Sequence, residues 1–274
     1  MDLARGPAPA IRRAGSLALI TGLLGMAGLG LAGCASSASS PGAGSSSGAG
    51  SPSGAVSATA TASASPGLSV PGTHQATARY QITAPVSTVV IVSHVGNVTV
   101  TGGSGPGVSV TQLAYYSKTA PATTRTVSGK TLTITYDCRT QLVCGVAYTV
   151  AMPRSAVVRV TAGAGSVRLT GLAGSVTAKA DVGLINATGL TSASVSLTTR
   201  VGGISASFTA APTAVQASAN VGAITVHVPG STSYKVAADA RVGKTTVSAP
   251  QSASSGHPIT ATTDIGTITV APST

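Results

Sequence analysis

From residue 156 onward, apolar and polar residues alternate with a period of two, and the phase of that alternation breaks at a recurring glycine. Counting back from each glycine, positions −7, −5, −3 and −1 are apolar or small. They read Val176, Ala178, Ala180 and Val182 before Gly183, and Val215, Ala217, Ala219 and Val221 before Gly222. Counting forward, +2 and +4 are apolar, as in Ile224 and Val226. A strand sends successive side chains to opposite faces. Inward parity is therefore odd before the glycine and even after it, and the glycine must shift the phase. A residue without a Cβ does this by turning a corner or forming a bulge. Each repeat is predicted to be two strands meeting at a glycine corner, followed by a loop.

Seven such corners are visible, at Gly96, Gly165, Gly183, Gly202, Gly222, Gly243 and Gly266. From Gly165 onward they are spaced 18, 19, 20, 21 and 23 residues apart. A period near 20 residues points to a stacked array. The predicted class is all-β: a β-solenoid-like stack of two-stranded, glycine-cornered repeats, with the inward side chains buried as a continuous column.

Outward positions form columns too. At −2 they read Asp181, Arg200, Asn220, Arg241 and Asp264 in chain order. Rungs about 4.8 Å apart would place Asp181 against Arg200 and Arg241 against Asp264. Such exposed pairs contribute about 0–1 kcal/mol each, so their better use is to hold register. At +3 the column is Thr99, Arg168, Asn186, Ser205, Thr225, Thr246 and Thr269. An unbroken threonine ladder would suit a ligand or ice face; with Arg168 and Asn186 interrupting it, a solvated sheet face is the better reading.

Residues 107–152 interrupt the array. Val108–Tyr116, Thr126–Tyr136 and Val146–Met152 alternate and are joined by Gly/Pro/Thr turns, which predicts antiparallel strands. Tyr115, Tyr116, Tyr136 and Tyr148, four of the six tyrosines, fall there and are expected to fill a local core. The segment between Cys138 and Cys144 lies between two strand-like runs. A disulfide pinning a hairpin tip is the expectation. The spacing is not that of a redox-active CxxC pair.

The N-terminal quarter has a different character. Arg5, Arg12 and Arg13 precede an apolar run from Leu17 to Leu31, and small residues lead into Cys34. The stretch Leu31-Ala32-Gly33-Cys34 resembles the lipobox of a bacterial lipoprotein signal. The resemblance implies removal of residues 1–33 and lipidation of Cys34, with acyl chains that contribute about 0.8 kcal/mol per buried methylene. An ordinary signal peptide and an uncleaved spanning helix are the alternatives. Residues 34–72 then comprise the lipidated cysteine and a Ser/Ala/Gly/Pro/Thr tether without charge or aromatic side chain, which is too poor in apolar surface to fold. Residues 73–274 form the β-repeat domain, with the insertion at 107–152 and the main repeats at 156–274.

Charge and composition narrow the function. The mature chain would keep 13 of 16 basic and 4 of 5 acidic residues, a formal charge of +9. Outside a membrane such a domain meets anionic lipid heads and anionic wall polymers, and attraction to either would weaken with salt. The plainer alternative is that the basic residues solvate an apolar β surface. Arg168, Lys179 and Arg200 are the candidate basic binding face. Nucleic acid is not an expected partner, since no aromatic-plus-basic motif is present.

Over 80–274 the chain resembles the putative-adhesin family of bacterial β-strand-repeat proteins, one of the domains of unknown function. The resemblance rests on Val150-Ala151-Met152-Pro153, on Val167-Arg168-Leu169-Thr170-Gly171-Leu172-Ala173-Gly174, on the glycine rungs, and on Ile224-Thr225-Val226-His227-Val228-Pro229. It implies a β-solenoid-like stack in the cell envelope and carries no catalytic residues. The expected function is a non-catalytic surface lipoprotein that presents a rigid basic domain to a wall polymer, lipid surface or surface protein. The alternative is a carbohydrate-active β-helix enzyme. That chemistry needs paired carboxylates or a carboxylate with a metal. Processing leaves only Asp137, Asp181, Asp239 and Asp264, so no enzyme activity is expected. His74, His94, His227 and His257 lack ligand spacing, so neither a metal nor a cofactor is expected. Oligomeric state is left open, because a solenoid has two ends with unpaired strand edges.

Overall fold

The computed structural model describes residues 56–57, 73–138 and 143–273. The lipobox, Cys34 and the tether lie outside them, apart from the two-residue strand β1 (Val56–Ser57), which pairs antiparallel with β2 (His74–Ile82). The architecture is all-β, with no helix among the described residues. The first glycine-cornered rung joins β3 (Thr88–Val95) to β4 (Val98–Gly103). Four strands then form the insertion: β5 (Val108–Tyr116), β6 (Ala122–Ser128), β7 (Thr131–Asp137) and β8 (Cys144–Pro153).

The main repeats follow as strand pairs. They are β9 (Val157–Ala164) with β10 (Val167–Thr170), and β11 (Val176–Val182) with β12 (Ile185–Leu190). Next come β13 (Ser194–Val201) with β14 (Ile204–Phe208), and β15 (Ala214–Val221) with β16 (Ile224–Val228). The last two rungs, β17 (Lys235–Val247) and β18 (Pro258–Pro272), run through their corner glycines as single strands.

Rungs stack in parallel with identical positions in register. Val176 lies beside Val158 and Val195, and Ile204 beside Ile185 and Ile224. First-half strands make one sheet and second-half strands another, with one continuous core between them. The core is thin because alanine fills many inward positions: Ala178, Ala187, Ala206, Ala217 and Ala261 are all buried. The largest buried side chains are Tyr148 on β8 at the insertion end, Phe208 on β14 inside the stack, and Tyr234 just before β17.

The order of the last two rungs departs from chain order. Strand β18 pairs with β15 and β16 on one side and with β17 on the other. The final rung is thus slotted between its two predecessors, and β17 is left at the edge. The inward side chains explain the exchange. Ile259, Ala261, Thr263, Ile268 and Val270 of β18 are buried, whereas Val236, Ala238 and Ala240 of β17 are only half-buried. Burial is worth about 25 cal/mol per Å² of apolar surface, so the rung with two isoleucines takes the sheltered place.

The insertion only partly matches the antiparallel expectation. Strand β5 is antiparallel to β2 and β8, and β6 to β7. However, β7 stacks parallel on β3 and β8 parallel on β4. Strands β7 and β8 therefore form a further rung beneath the first one, and β6, β5 and β2 cover the end of the stack. The Cys138–Cys144 disulfide is formed. It does not pin a hairpin tip. It links β7 to β8, which belong to different sheets, and so closes a rung where other rungs turn at a glycine.

Candidate binding surface

The corner glycines do two jobs. Gly165, Gly183, Gly202, Gly222, Gly243 and Gly266 all have φ between 142° and 151°, and Gly96 has 133°, a region that L side chains avoid. They also stack directly on one another. A Cβ on Gly183 would collide with the Gly165 carbonyl, one on Gly202 with that of Gly183, and one on Gly222 with that of Gly202. Gly266 meets the Gly222 carbonyl and Gly243 meets that of Gly266, so the ladder follows spatial order and includes the exchanged rungs.

One expectation about the corner fails. Positions −7, −5 and −3 point inward, but −1 does not. Val95, Val182, Val201, Val221, Ile265 and Val242 are all exposed, from 43% at Val221 to 59% at Val242. The turn begins one residue before the glycine, so the −1 side chain is thrown onto the outside of the corner. Because the rungs are in register, these residues form a single apolar ridge along the stack, interrupted only by the smaller Ala164. Leu184 lies beside it, and Tyr115 and Val143 flank Val95 in a shallow recess. Every large apolar side chain exposed among the described residues thus lies along this one corner.

The −2 column runs beside the ridge. Its two expected ion pairs are present, Arg200–Asp181 at 3.1 Å and Arg241–Asp264 at 3.4 Å, all four side chains being well exposed. In spatial order the column reads Asp181, Arg200, Asn220, Asp264 and Arg241. The exchange also brings Asp239 and Asp264 to one open depression of about 230 Å³, which Arg241 shares. Nothing in the local sequence placed those two carboxylates together.

The three residues of the candidate basic face are not gathered in one place. Arg168 lies on β10, beside Thr99 and Asn186, in the second-half sheet. Lys179 lies on β11, beside Thr161 and Thr198, in the first-half sheet. Arg200 is taken up by Asp181. Positive charge is therefore distributed over two outer faces. The +3 column is in register as expected, from Thr99 through Arg168, Asn186, Ser205 and Thr225 to Thr269 and Thr246.

The insertion tyrosines build the end of the core. The Tyr136 hydroxyl donates to the Val95 carbonyl at 2.6 Å and accepts from the Val95 amide. The Arg125 guanidinium lies 3.6 Å over the Tyr80 ring. Tyr148 is fully buried, and burial, followed by the neighbouring Tyr136, pushes its phenol above the ordinary range. Its hydroxyl, Gln112 Oε1 and Ser93 Oγ are buried without a hydrogen-bond partner. Tyr115 is the exception, being exposed beside the ridge. Among the described residues no three His, Cys, Asp or Glu side chains gather as a metal site. His257 Nδ1 instead bonds to the Pro212 carbonyl at 2.8 Å, and His94 packs edge-on to Tyr136.

No protein-family model and no curated protein matches the chain. Among solved structures it is similar to a putative cell adhesion protein from Clostridium sporogenes, at 12% identity over 73% of this chain and 100% of that one, with a TM-score of 0.40. It is also similar to a putative adhesin from Bacteroides fragilis, at 17% identity over 73% and 97%, with a TM-score of 0.43. A putative adhesin from Parabacteroides merdae shares 9% identity over 72% and 96%, with a TM-score of 0.24. These overlaps are too distant to assign a family.

Proposed function

We propose that the protein is a non-catalytic surface lipoprotein, held through lipid on Cys34, that presents a rigid basic β-stack to anionic wall polymer, a lipid surface or a surface protein. The observation that carries this reading is the distribution of charge. Arg159, Arg168 and Lys179 stand exposed on outer sheet faces and belong to neither the Arg200–Asp181 nor the Arg241–Asp264 ion pair. A β-stack holds such cations at fixed spacing, so attraction to a polyanion is gained without ordering the protein. The Cys138–Cys144 disulfide supports an oxidising compartment.

The test is sedimentation of the full chain with isolated cell-wall material and with phosphatidylglycerol vesicles across a salt series. Saturable binding that weakens with salt is expected, and Arg168→Glu with Lys179→Glu should reduce it about tenfold or more. Absence of binding at low salt overturns the electrostatic reading. Cys34→Ala should move the protein from the membrane fraction to the medium; unchanged fractionation overturns the anchor.

A further inference from the structure

The apolar ridge and the charge column beside it carry an inference that the proposed function does not require. From Gly183 to the end of the stack the ridge is unbroken, through Val182, Val201, Val221, Ile265 and Val242, bounded on one side by Ala164 and on the other by the edge strand β17. These side chains and Leu184 expose on the order of 600 Å², as large as the biggest patch on a typical monomer. With the flanking columns the face approaches the ~800 Å² that one partner contributes to a standard interface. An anionic ligand would be met by unpaired cations. Here two of the chain's five aspartates, Asp181 and Asp264, sit beside the ridge and are already paired with Arg200 and Arg241.

The order of those charges identifies an occupant. Consider two copies laid ridge to ridge with their stacks antiparallel. The two-fold that relates them lies in the contact plane and runs across the ridge. It reverses stack order but keeps each flank on its own side, so the −2 column of one copy meets the −2 column of the other. In spatial order that column is minus, plus, neutral, minus, plus. Reversed, it is plus, minus, neutral, plus, minus. Every charge then meets its opposite: Asp181 faces the second copy's Arg241, Arg200 faces the second copy's Asp264, and Asn220 faces itself. Each ion pair already present closes into a four-membered ring of alternating charge.

The complementarity depends on the rung exchange. In chain order the column is minus, plus, neutral, plus, minus, which is its own reversal, and an antiparallel copy would set like charges opposite one another. The apolar partners agree with the same axis. Val182 faces Val242, Val201 faces Ile265, and Val221 faces itself. On the other flank Leu184 meets the second copy's Lys244, whose aliphatic stem can cover it, and the space over Gly203 faces Thr267. We infer that this corner is a self-docking surface: a second copy of the chain packs antiparallel across the ridge, about a two-fold at the Gly222 rung, to form a closed dimer.

The experiment is sedimentation equilibrium of the full chain with two sets of variants. The parent is expected to reach a monomer–dimer equilibrium, and Val221→Asp, which sets two carboxylates face to face in the ridge, should leave only monomer. Val221 is exposed, so the fold is expected to survive; an unchanged far-ultraviolet circular dichroism spectrum checks this. The decisive variant inverts the whole column: Asp181→Arg, Arg200→Asp, Asp264→Arg and Arg241→Asp. The inverted column is still self-complementary and should dimerise as the parent does, yet it should not pair with the parent, because mixed copies face like charges. Oxidation of Val221→Cys should give a crosslinked dimer, whereas Val95→Cys, beyond the overlap, should not. A monomer at all concentrations, a dimer indifferent to Val221→Asp, or free mixing of inverted and parent chains overturns the proposal. So does a ridge whose variants lose only vesicle binding, since the occupant would then be lipid.

Discussion

Replacing Gly202 with alanine tests the corner ladder directly. Gly202 has a φ of 143°, and its missing Cβ would collide with the Gly183 carbonyl, which is main chain and cannot rotate away. Two costs add. Holding an L residue in that backbone region costs about 1–3 kcal/mol. Forcing the rungs apart to admit a methyl group costs a further ~1–3 kcal/mol by analogy with overpacked cores. A total of roughly 2–6 kcal/mol is expected, against a usual stability of ~5–15 kcal/mol. For a domain of this size 1 kcal/mol shifts Tm by about 2–4 °C, so a loss on the order of 10 °C is predicted. Thermal and urea unfolding, followed by far-ultraviolet circular dichroism, measure it. Gly256→Ala is the control, since nothing lies within 4 Å of its added Cβ and its backbone is not in the positive-φ region. If Gly202→Ala melts within a degree or two of the parent, the ladder is not a steric constraint and the argument for glycine at each corner fails.

Two further outcomes follow from the insertion end. Tyr148 is buried with an unpartnered hydroxyl and a phenol pKa raised by burial, so its contribution is fully present below about pH 10, the unfolded value, and is lost as pH rises beyond it, because the unfolded chain ionises first. Tyr148→Phe should therefore match or exceed the parent in stability at neutral pH and soften the alkaline fall, whereas Tyr136→Phe, which strips the Val95 backbone of its partner, should cost about 1–3 kcal/mol; equal effects in urea titrations would refute the contrast. Reducing Cys138–Cys144 frees a short loop, with the cysteines six residues apart, and should cost about 2 kcal/mol on the chain-entropy account. The loss should appear as faster hydrogen exchange in β7 and β8 while β11–β16 keep their protection, and uniform loss along the stack would contradict that placement.

Much of the candidate surface was legible in local order. The ion pairs Asp181–Arg200 and Arg241–Asp264 follow from counting to the −2 position, because each couples neighbours in the stack whichever way the last two rungs are arranged. The Cys138–Cys144 pairing follows from its short spacing. The ridge was not legible, since Val182 and Val221 have the residue type and parity of inward positions. Only the path of the backbone through a positive-φ glycine turns them outward. The division of Arg168 and Lys179 between two sheets was legible by the same counting from the glycines, since one lies after its corner and the other before.

The sequence by itself determined what depends on near neighbours along the chain. Period-two alternation made the strands, glycine at each phase break made the corners, and a spacing near 20 residues made the repeats stack. Tertiary structure decided what depends on choosing among equivalent partners. Any rung with this alternation can hydrogen-bond in parallel with any other, so pairing alone does not set their order. The choice falls to burial, which places the isoleucine-bearing β18 inside and leaves β17 at the edge. The same choice turned a column of charges that repels its own antiparallel copy into one that matches it.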